Sequence, residues 1–375
     1  MQPTTLDLVA RGRHEASRID RRDFLRICTL AAAAVGLPAS AGRAFAEAAA
    51  QGKRPPVIWL SFQECTGCTE SLLRTAHPAL DDLILDLISL DYHEALMAGA
   101  GKQAEAARRK SMEENKGKYI LVTEGGIPMK DGGIYCKIGG QTAVDMVREA
   151  AESAGAIIAI GSCASFGGLP AADPNPTGAT GTPMVLEGKT VVTIPGCPPN
   201  AYNFLGTALQ FATFGTLPAL DELGRPKWAY GRTIHEQCPR RAHFDAGRFA
   251  EKYGDEGHRN GYCLYKLGCK GPVTHANCSV QSFGDVVDAW PIGIGHACIG
   301  CTEQKYLWQV PQFQTVEIER PTPPDTYPPI HAEQGHVGAV ATGVAGAVVG
   351  AAVGAAWMGS KKIEERPGAN SEHGE

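Results

Sequence analysis

Three short β-branched runs in this sequence each end in cysteine. "PVIWLSFQEC" leads to Cys65 and, past Thr66-Gly67, to Cys68; "AIIAIGSC" leads to Cys163; "VVTIPGC" leads to Cys197. The apolar runs Val57–Leu60, Ala156–Ile160 and Val191–Ile194, with Tyr119–Thr123 as a fourth, are short and bounded by Gly- or Pro-containing loops, and they read as buried parallel strands. Helical stretches lie between them, including Thr142–Ser153 with apolar Ala143, Val144, Met146, Val147, Ala150 and Ala151. Such alternation predicts a doubly wound α/β sheet. Ligands of these sheets collect outside the carboxyl ends of the strands. Cys65, Cys68, Cys163 and Cys197 are therefore expected on one rim.

From about Thr233 to Gln314 the texture changes. His, Cys, Pro and Gly dominate, regular strands fade, and a large apolar core is not expected; bound cofactors would supply the missing cross-links. A chain of 375 residues has room for two such domains. Its 35 basic against 40 acidic side chains, a net charge of −5, argue against a nucleic-acid partner.

Both ends read as addresses. Arg21 and Arg22 precede Asp-Phe-Leu, an apolar stretch runs from Ile27 to Ala34, and Ala44-Phe45-Ala46 forms an A-x-A site, so residues 1–46 are expected to be a twin-arginine secretory signal that takes Cys28 with it. That route resembles a system exporting folded, cofactor-loaded proteins, so cysteines filled in the reducing cytosol would not be left for disulfides. At the other end Val337 to Met358 is 22 residues without a charge, long enough as a helix for a bilayer core. Gly346, Gly350 and Gly354 give it a packing face. Lys361 and Lys362 place the tail in the cytoplasm and the body on the outer face. The proline-rich 317–336 reads as a stiff spacer.

Without Cys28, eleven of the 12 cysteines remain: 65, 68, 136, 163, 197, 238, 263, 269, 278, 298 and 301. "IHEQCPR" places His235 three residues before Cys238, and "HACIGC" gives a second C-x-x-C at Cys298 and Cys301. Zinc favours two C-x-x-C knuckles closing one site, but the pairs lie in different halves. Thioredoxin-type chemistry explains one pair at most. Disulfides leave an odd thiol. Iron–sulfur clusters fit the spacing best, and Cys197-Pro198 and Cys238-Pro239 share the cysteine–proline habit of cluster-ligand runs.

With "CTGCTE", "GSCASFGG", "PGCPPN", "HEQCPR", "YCLYKLGCKGP", "NCS" and "GHACIGC" together, the chain resembles the small subunit of membrane-bound nickel–iron hydrogenases over nearly its whole length. "VTEGGIP" and "LDYHEALMAGAG" also look like family segments. The resemblance implies two 4Fe–4S clusters and one 3Fe–4S cluster. Cys65, Cys68, Cys163 and Cys197 would hold the proximal 4Fe–4S; His235, Cys238, Cys263 and Cys269 the distal 4Fe–4S; Cys278, Cys298 and Cys301 the medial 3Fe–4S. Pro291 resembles the proline found where a fourth medial ligand would stand. Ala297 departs from the proline usual at its position, and the loop after Cys278 looks slightly long. Only Cys136 is left over, and it is expected to be a buried apolar cysteine.

The implied architecture is a flavodoxin-like domain at 47–232, a loop-rich cluster domain at 233–316, a linker at 317–336, an anchor at 337–358 and a cytoplasmic tail at 359–375. The implied reaction is H₂ ⇌ 2H⁺ + 2e⁻. The nickel–iron centre would lie in a separate large subunit, and this chain would carry electrons to a membrane cytochrome b or another quinone-reducing subunit on the periplasmic face. The resemblance leaves room for a dimer of heterodimers. No catalytic residue is expected in this chain. Glu70 would face the large subunit beside the proximal cluster, where a proton relay is conceivable, but a charge at a helix N-terminus is the preferred reading. Arg240 and Arg241 are read either as compensating an anionic cluster or as a solvated basic turn. Oxygen-tolerant relatives carry cysteines where this chain has Gly67 and Gly168, which implies an ordinary proximal cluster and an oxygen-sensitive enzyme.

The sequence admits rival readings. A cluster subunit of the respiratory complex I kind would lack the cysteine-rich second half and the export signal. An exported carrier without a catalytic partner would lack a nickel-containing subunit. A zinc-stapled scaffold would hold zinc without iron or sulfide.

Overall fold

The structure is a computed structural model that describes residues 54–75 and 88–317. The expected export signal, the anchor at 337–358 and nearly all of the linker lie outside the described residues. No helix among the described residues is long and apolar enough to cross a membrane.

Five parallel strands form the sheet: β1 (Pro56–Ser61), β2 (Ser89–His93), β3 (Ile120–Glu124), β4 (Ala156–Ile160) and β5 (Val192–Ile194). Their order is 2-1-3-4-5. The four expected strands are present within a residue or two. The fifth, β2, is absent from the sequence-based expectation: "SLDYH" carries a charge and little apolar character, and among the described residues it forms an edge with only β1 as neighbour. An edge strand needs less burial than a central one, so its sequence signal is weak.

Alternation along the strands divides the core in two. Ile58, Leu60, Leu121, Ile157 and Ala159 point to one face and meet α-helical side chains including Met146, Val147 and Ala150. Val57, Trp59, Ile120, Val122, Ile158 and Ile160 point to the other and meet Phe204, Leu205 and Ala208. Both faces are covered, which is why the central strands carry uninterrupted apolar runs.

Five helices frame the candidate sites: α1 (Gly67–Leu73), α2 (Gly101–Glu114), α3 (Ala143–Ala151), α4 (Gly161–Phe166) and α5 (Ala201–Phe214). The expected helix 142–153 is α3, with Thr142 as its cap: the Asp145 N–H donates to Thr142 Oγ1 at 3.2 Å. Asn200 caps α5 in the same way, and Gly215 ends it in the left-handed region at φ 67°.

Beyond α5 the described chain has only short helical turns and isolated bridges such as Thr233–His275 and Phe249–Cys263. Its core is a small third cluster around Tyr230, Ile234, Leu264, Trp290 and Ile292, and two of its members are Cys269 and Cys298. This region is sewn to the sheet by buried polar bonds. Asn203 and Asn277 exchange amide hydrogen bonds at 3.2 and 2.9 Å, and the Tyr230 hydroxyl donates to the Pro195 carbonyl at 2.9 Å.

Phe204 is fully buried and stands edge-on to Trp59, with ring centroids 5.4 Å apart. Phe204→Ala is expected to destabilise the protein by about 3–5 kcal/mol, read as a lowered thermal or denaturant midpoint. A loss below about 1 kcal/mol would show that this layer does not pack through the ring.

Candidate metal centres

The loops leaving β1, β4 and β5 deliver four thiols to the carboxyl rim. Burial pushes the Cys68 thiol well above its ordinary value, and Glu124, Cys163, Cys197 and Cys65 push it further. Burial raises Cys163 to about 11 with Cys197 and Cys65 adding, and raises Cys197 with Cys65 adding. Every pair among Cys65, Cys68, Cys163 and Cys197 is thus close enough for charge on one to act on the other. Cys65 and Cys197 are exposed. The loops fit glycine here. Gly168 has φ +52°, and a Cβ there would lie 2.7 Å from the Cys163 sulfur; a Cβ on Gly67 would lie 3.1 Å from the Cys65 sulfur.

A second group lies in the loop-rich half. His235, Cys238, Cys263 and Cys269 line one small cavity together with Arg240 and Arg241. Burial raises Cys263 to about 11, with Cys269 and Cys238 adding. Burial drives the His235 imidazole down to about 4, helped by Arg241, so it is a neutral donor at pH 7. Neither arginine is a free solvated turn: Arg240 Nη1 donates to the Tyr262 carbonyl at 3.1 Å, and Arg241 pairs with Asp245 at 2.8 Å.

Cys278, Cys298 and Cys301 form the third group. Burial raises Cys278 and Cys301 to about 12 and Cys298 well above its ordinary value; Cys298 acts on Cys278, Cys278 on Cys301, and Cys301 on Cys298. This group also touches both others. Cys301 feels Cys197 and its sulfur accepts the Cys197 backbone N–H; Cys298 feels Cys269, whose sulfur accepts the Cys298 N–H. Ser162 locks the first of these junctions, accepting from Gly196 N–H at 3.0 Å and donating to the Cys301 carbonyl.

The donor set fits iron–sulfur chemistry. All eleven described cysteines are free. Backbone N–H groups two residues on aim at sulfur at Cys238, Cys263, Cys269 and Cys298, from Arg240, Tyr265, Gly271 and Gly300. Such bonds favour thiolate over thiol. Among the described residues no three His, Cys, Asp or Glu side chains are gathered for a single ion.

Cys136 stays apart, half-buried against the first sheet core. Glu70 lies in the first turn of α1, exposed, and pairs with Arg74 at 3.0 Å.

The sequence reading missed the support beneath Cys68. Helix α1 begins at Thr66 with no side-chain cap. Glu124, at the end of β3, replaces it: Oε1 accepts from the Cys68 and Thr69 N–H groups at 3.0 and 3.2 Å, and Oε2 accepts from Trp59 Nε1 at 3.0 Å and Thr69 Oγ1 at 2.5 Å. His93 Nε2 lies 3.1 Å from Thr69 Oγ1, and its Nδ1 accepts the Ala95 N–H at 3.2 Å. With Nδ1 accepting, Nε2 carries the proton. The available signal was an acidic residue closing an apolar strand before Gly125-Gly126, and a histidine closing β2.

Burial pushes His93 down to about 4. A depressed histidine contributes stability that is complete above its unfolded value near 6.5 and is lost as pH falls through about 4. Between pH 7 and pH 5 the loss is on the order of 2 kcal/mol. The thermal midpoint of His93→Gln is therefore expected to fall less than wild type over this interval; equal falls would refute the neutral assignment.

Two family profiles match the chain. One is described as NADH ubiquinone oxidoreductase, 20 Kd subunit, over residues 65–211; the other describes the C-terminal part of the NiFe/NiFeSe hydrogenase small subunit, over residues 230–314. The Hydrogenase-2 small chain of Escherichia coli K12 is 52% identical over 329 residues, 88% of each chain. The Quinone-reactive Ni/Fe-hydrogenase small chain of Wolinella succinogenes is 50% identical over 294 residues, 78% of this chain and 82% of that one. Among solved structures, a recombinant NiFeSe hydrogenase of Desulfovibrio vulgaris Hildenborough superposes with a TM-score of 0.65 at 37% identity, covering 70% of this chain and 98% of that chain.

Proposed function

This chain belongs to the family of nickel–iron hydrogenase small subunits, and from that premise we propose that it carries electrons through three iron–sulfur clusters in a fixed line. As such a subunit it serves a hydrogenase whose active site lies in the partner large subunit. Cys65, Cys68, Cys163 and Cys197 would hold a proximal 4Fe–4S cluster, Cys278, Cys298 and Cys301 a medial 3Fe–4S cluster, and His235, Cys238, Cys263 and Cys269 a distal 4Fe–4S cluster. Bound there, the clusters would supply one-electron oxidation and reduction.

The observation that carries the reading is contiguity. The third thiol group meets the first through Cys301 and Cys197 and the second through Cys298 and Cys269. The residues of this chain do the rest. Backbone N–H groups aimed at sulfur favour the thiolate form against burial, His235 offers a neutral nitrogen that leaves its site less negative, and Ser162 fixes one junction.

The same reading takes 47–232 as a flavodoxin-like domain and 233–316 as a cluster domain. It takes 1–46 as a twin-arginine signal and 337–358 as an anchor, with the body on the periplasmic side and the electrons passing to a quinone-linked membrane subunit such as a cytochrome b. The quinone-reactive relative is in keeping with such an acceptor.

The complex purified from membrane is expected to contain nickel, iron and acid-labile sulfide; a thiol-intact chain with only trace iron would overturn the reading. Cys65→Ser should abolish the proximal cluster signal and cut hydrogen oxidation with an artificial acceptor, and unchanged turnover would refute the assignment. With Gly67 and Gly168 in place, aerobic turnover should be lost quickly and oxidised protein should show no second high-potential proximal oxidation by spectroscopy.

A further inference from the structure

Lys270 follows Cys269 and is fully buried. Its backbone N–H donates to the Cys298 carbonyl at 2.8 Å, so it stands where the second and third thiol groups meet. Its stem runs beside Gly300, between Cys298 and Cys301: a Cβ on Gly300 would lie 3.3 Å from Lys270 Cδ. Its Nζ donates to three carbonyls, Gln312 at 2.7 Å, Pro311 at 3.0 Å and Gly268 at 3.4 Å.

Three acceptors around one nitrogen call for three donated protons, which is the ammonium form. Carbonyl oxygens satisfy its hydrogen bonds without cancelling its charge. Burial pushes Lys270 below its ordinary value, and the sulfurs of Cys298 and Cys269, one from each thiol group, act against that fall. A buried cation is costly unless something negative faces it. Here the negative partners are the two candidate metal groups themselves.

We propose that Lys270 is a fixed charge that raises the reduction potentials of both the medial and the distal cluster. The inference rests on the cluster reading above. Each pass moves one electron: the donor site loses one unit of negative charge, the acceptor gains one, and no proton accompanies it. The electrons come from hydrogen, two per molecule, with both protons released at the partner's site. A fixed positive charge stabilises whichever neighbour holds the extra electron, so its effect must appear at both sites.

The competing role is mechanical, because Lys270 also pins Pro311 and Gln312. A neutral donor could keep part of that pinning, whereas only a charge moves a potential. The test is a redox titration followed by electron paramagnetic resonance on the purified complex, for wild type, Lys270→Gln, Lys270→Met and Lys270→Arg. Both neutral variants are expected to shift the medial and distal reduction equilibria toward the oxidised form on the order of tenfold, about 59 mV for one electron. Lys270→Arg should stay near wild type, and the proximal cluster should not move. Wild-type potentials in Lys270→Gln, with only a lower thermal midpoint, would overturn the proposal and leave Lys270 a pin. If one neutral variant fails to assemble, the other carries the same readout. A wild-type complex without iron and sulfide would overturn the cluster reading and this inference together, a result distinct from unmoved potentials in a cluster-loaded variant.

Discussion

A thiolate is stable inside a protein only where positive charge, hydrogen bonds or metal meet it. This chain withdraws most of its thiols from water, and burial pushes Cys68, Cys263, Cys278, Cys298 and Cys301 upward while their neighbours push them further. Much of the surrounding structure answers that problem. Backbone amides turn toward sulfur at four cysteines of the second half, Arg240 and Arg241 border the His235 cavity, and Lys270 stands between two groups. Iron would complete the compensation, binding thiolate as a soft ligand and releasing its proton.

The same constraint explains the division of labour between the halves. The parallel sheet buries both faces and needs no cofactor to be a core. The second half has a small apolar cluster into which Cys269 and Cys298 are built. Its cohesion depends on polar joints to the sheet, through Asn203–Asn277 and Tyr230–Pro195, and on the ligand loops themselves. Ser162 belongs to the sheet's own rim, accepts the Gly196 N–H and donates to the Cys301 carbonyl, so one side chain ties the two halves together beside Cys197 and Cys301.

Beneath the first group, Glu124 does for α1 what a cap residue does elsewhere, but from a neighbouring strand. That arrangement fixes Cys68 against β3 and ties it to Trp59, Thr69 and His93. A carboxylate that accepts from four donors resists substitution, since an amide would turn one acceptor into a donor facing another donor.

The sequence by itself determined the sheet's central strands, because runs such as "AIIAI" are buried on both faces and leave little alternative. It also determined which thiols could meet, because Cys65, Cys68, Cys163 and Cys197 follow strands that must share a carboxyl edge. The loop-rich character of the second half was legible in its composition, but the grouping of its ligands was implied by resemblance alone, since no periodicity ties His235 to Cys263 or Cys278 to Cys298. Only tertiary structure decided the edge strand at Ser89–His93, whose pairing comes from β1 and not from its own composition. Only tertiary structure decided the partners of Glu124, 55 or more residues distant from Thr69 and Trp59 in the chain, and the junctions at Cys197–Cys301 and Cys269–Cys298. Those depend on which loops come together in space, a property of packing that linear spacing does not carry.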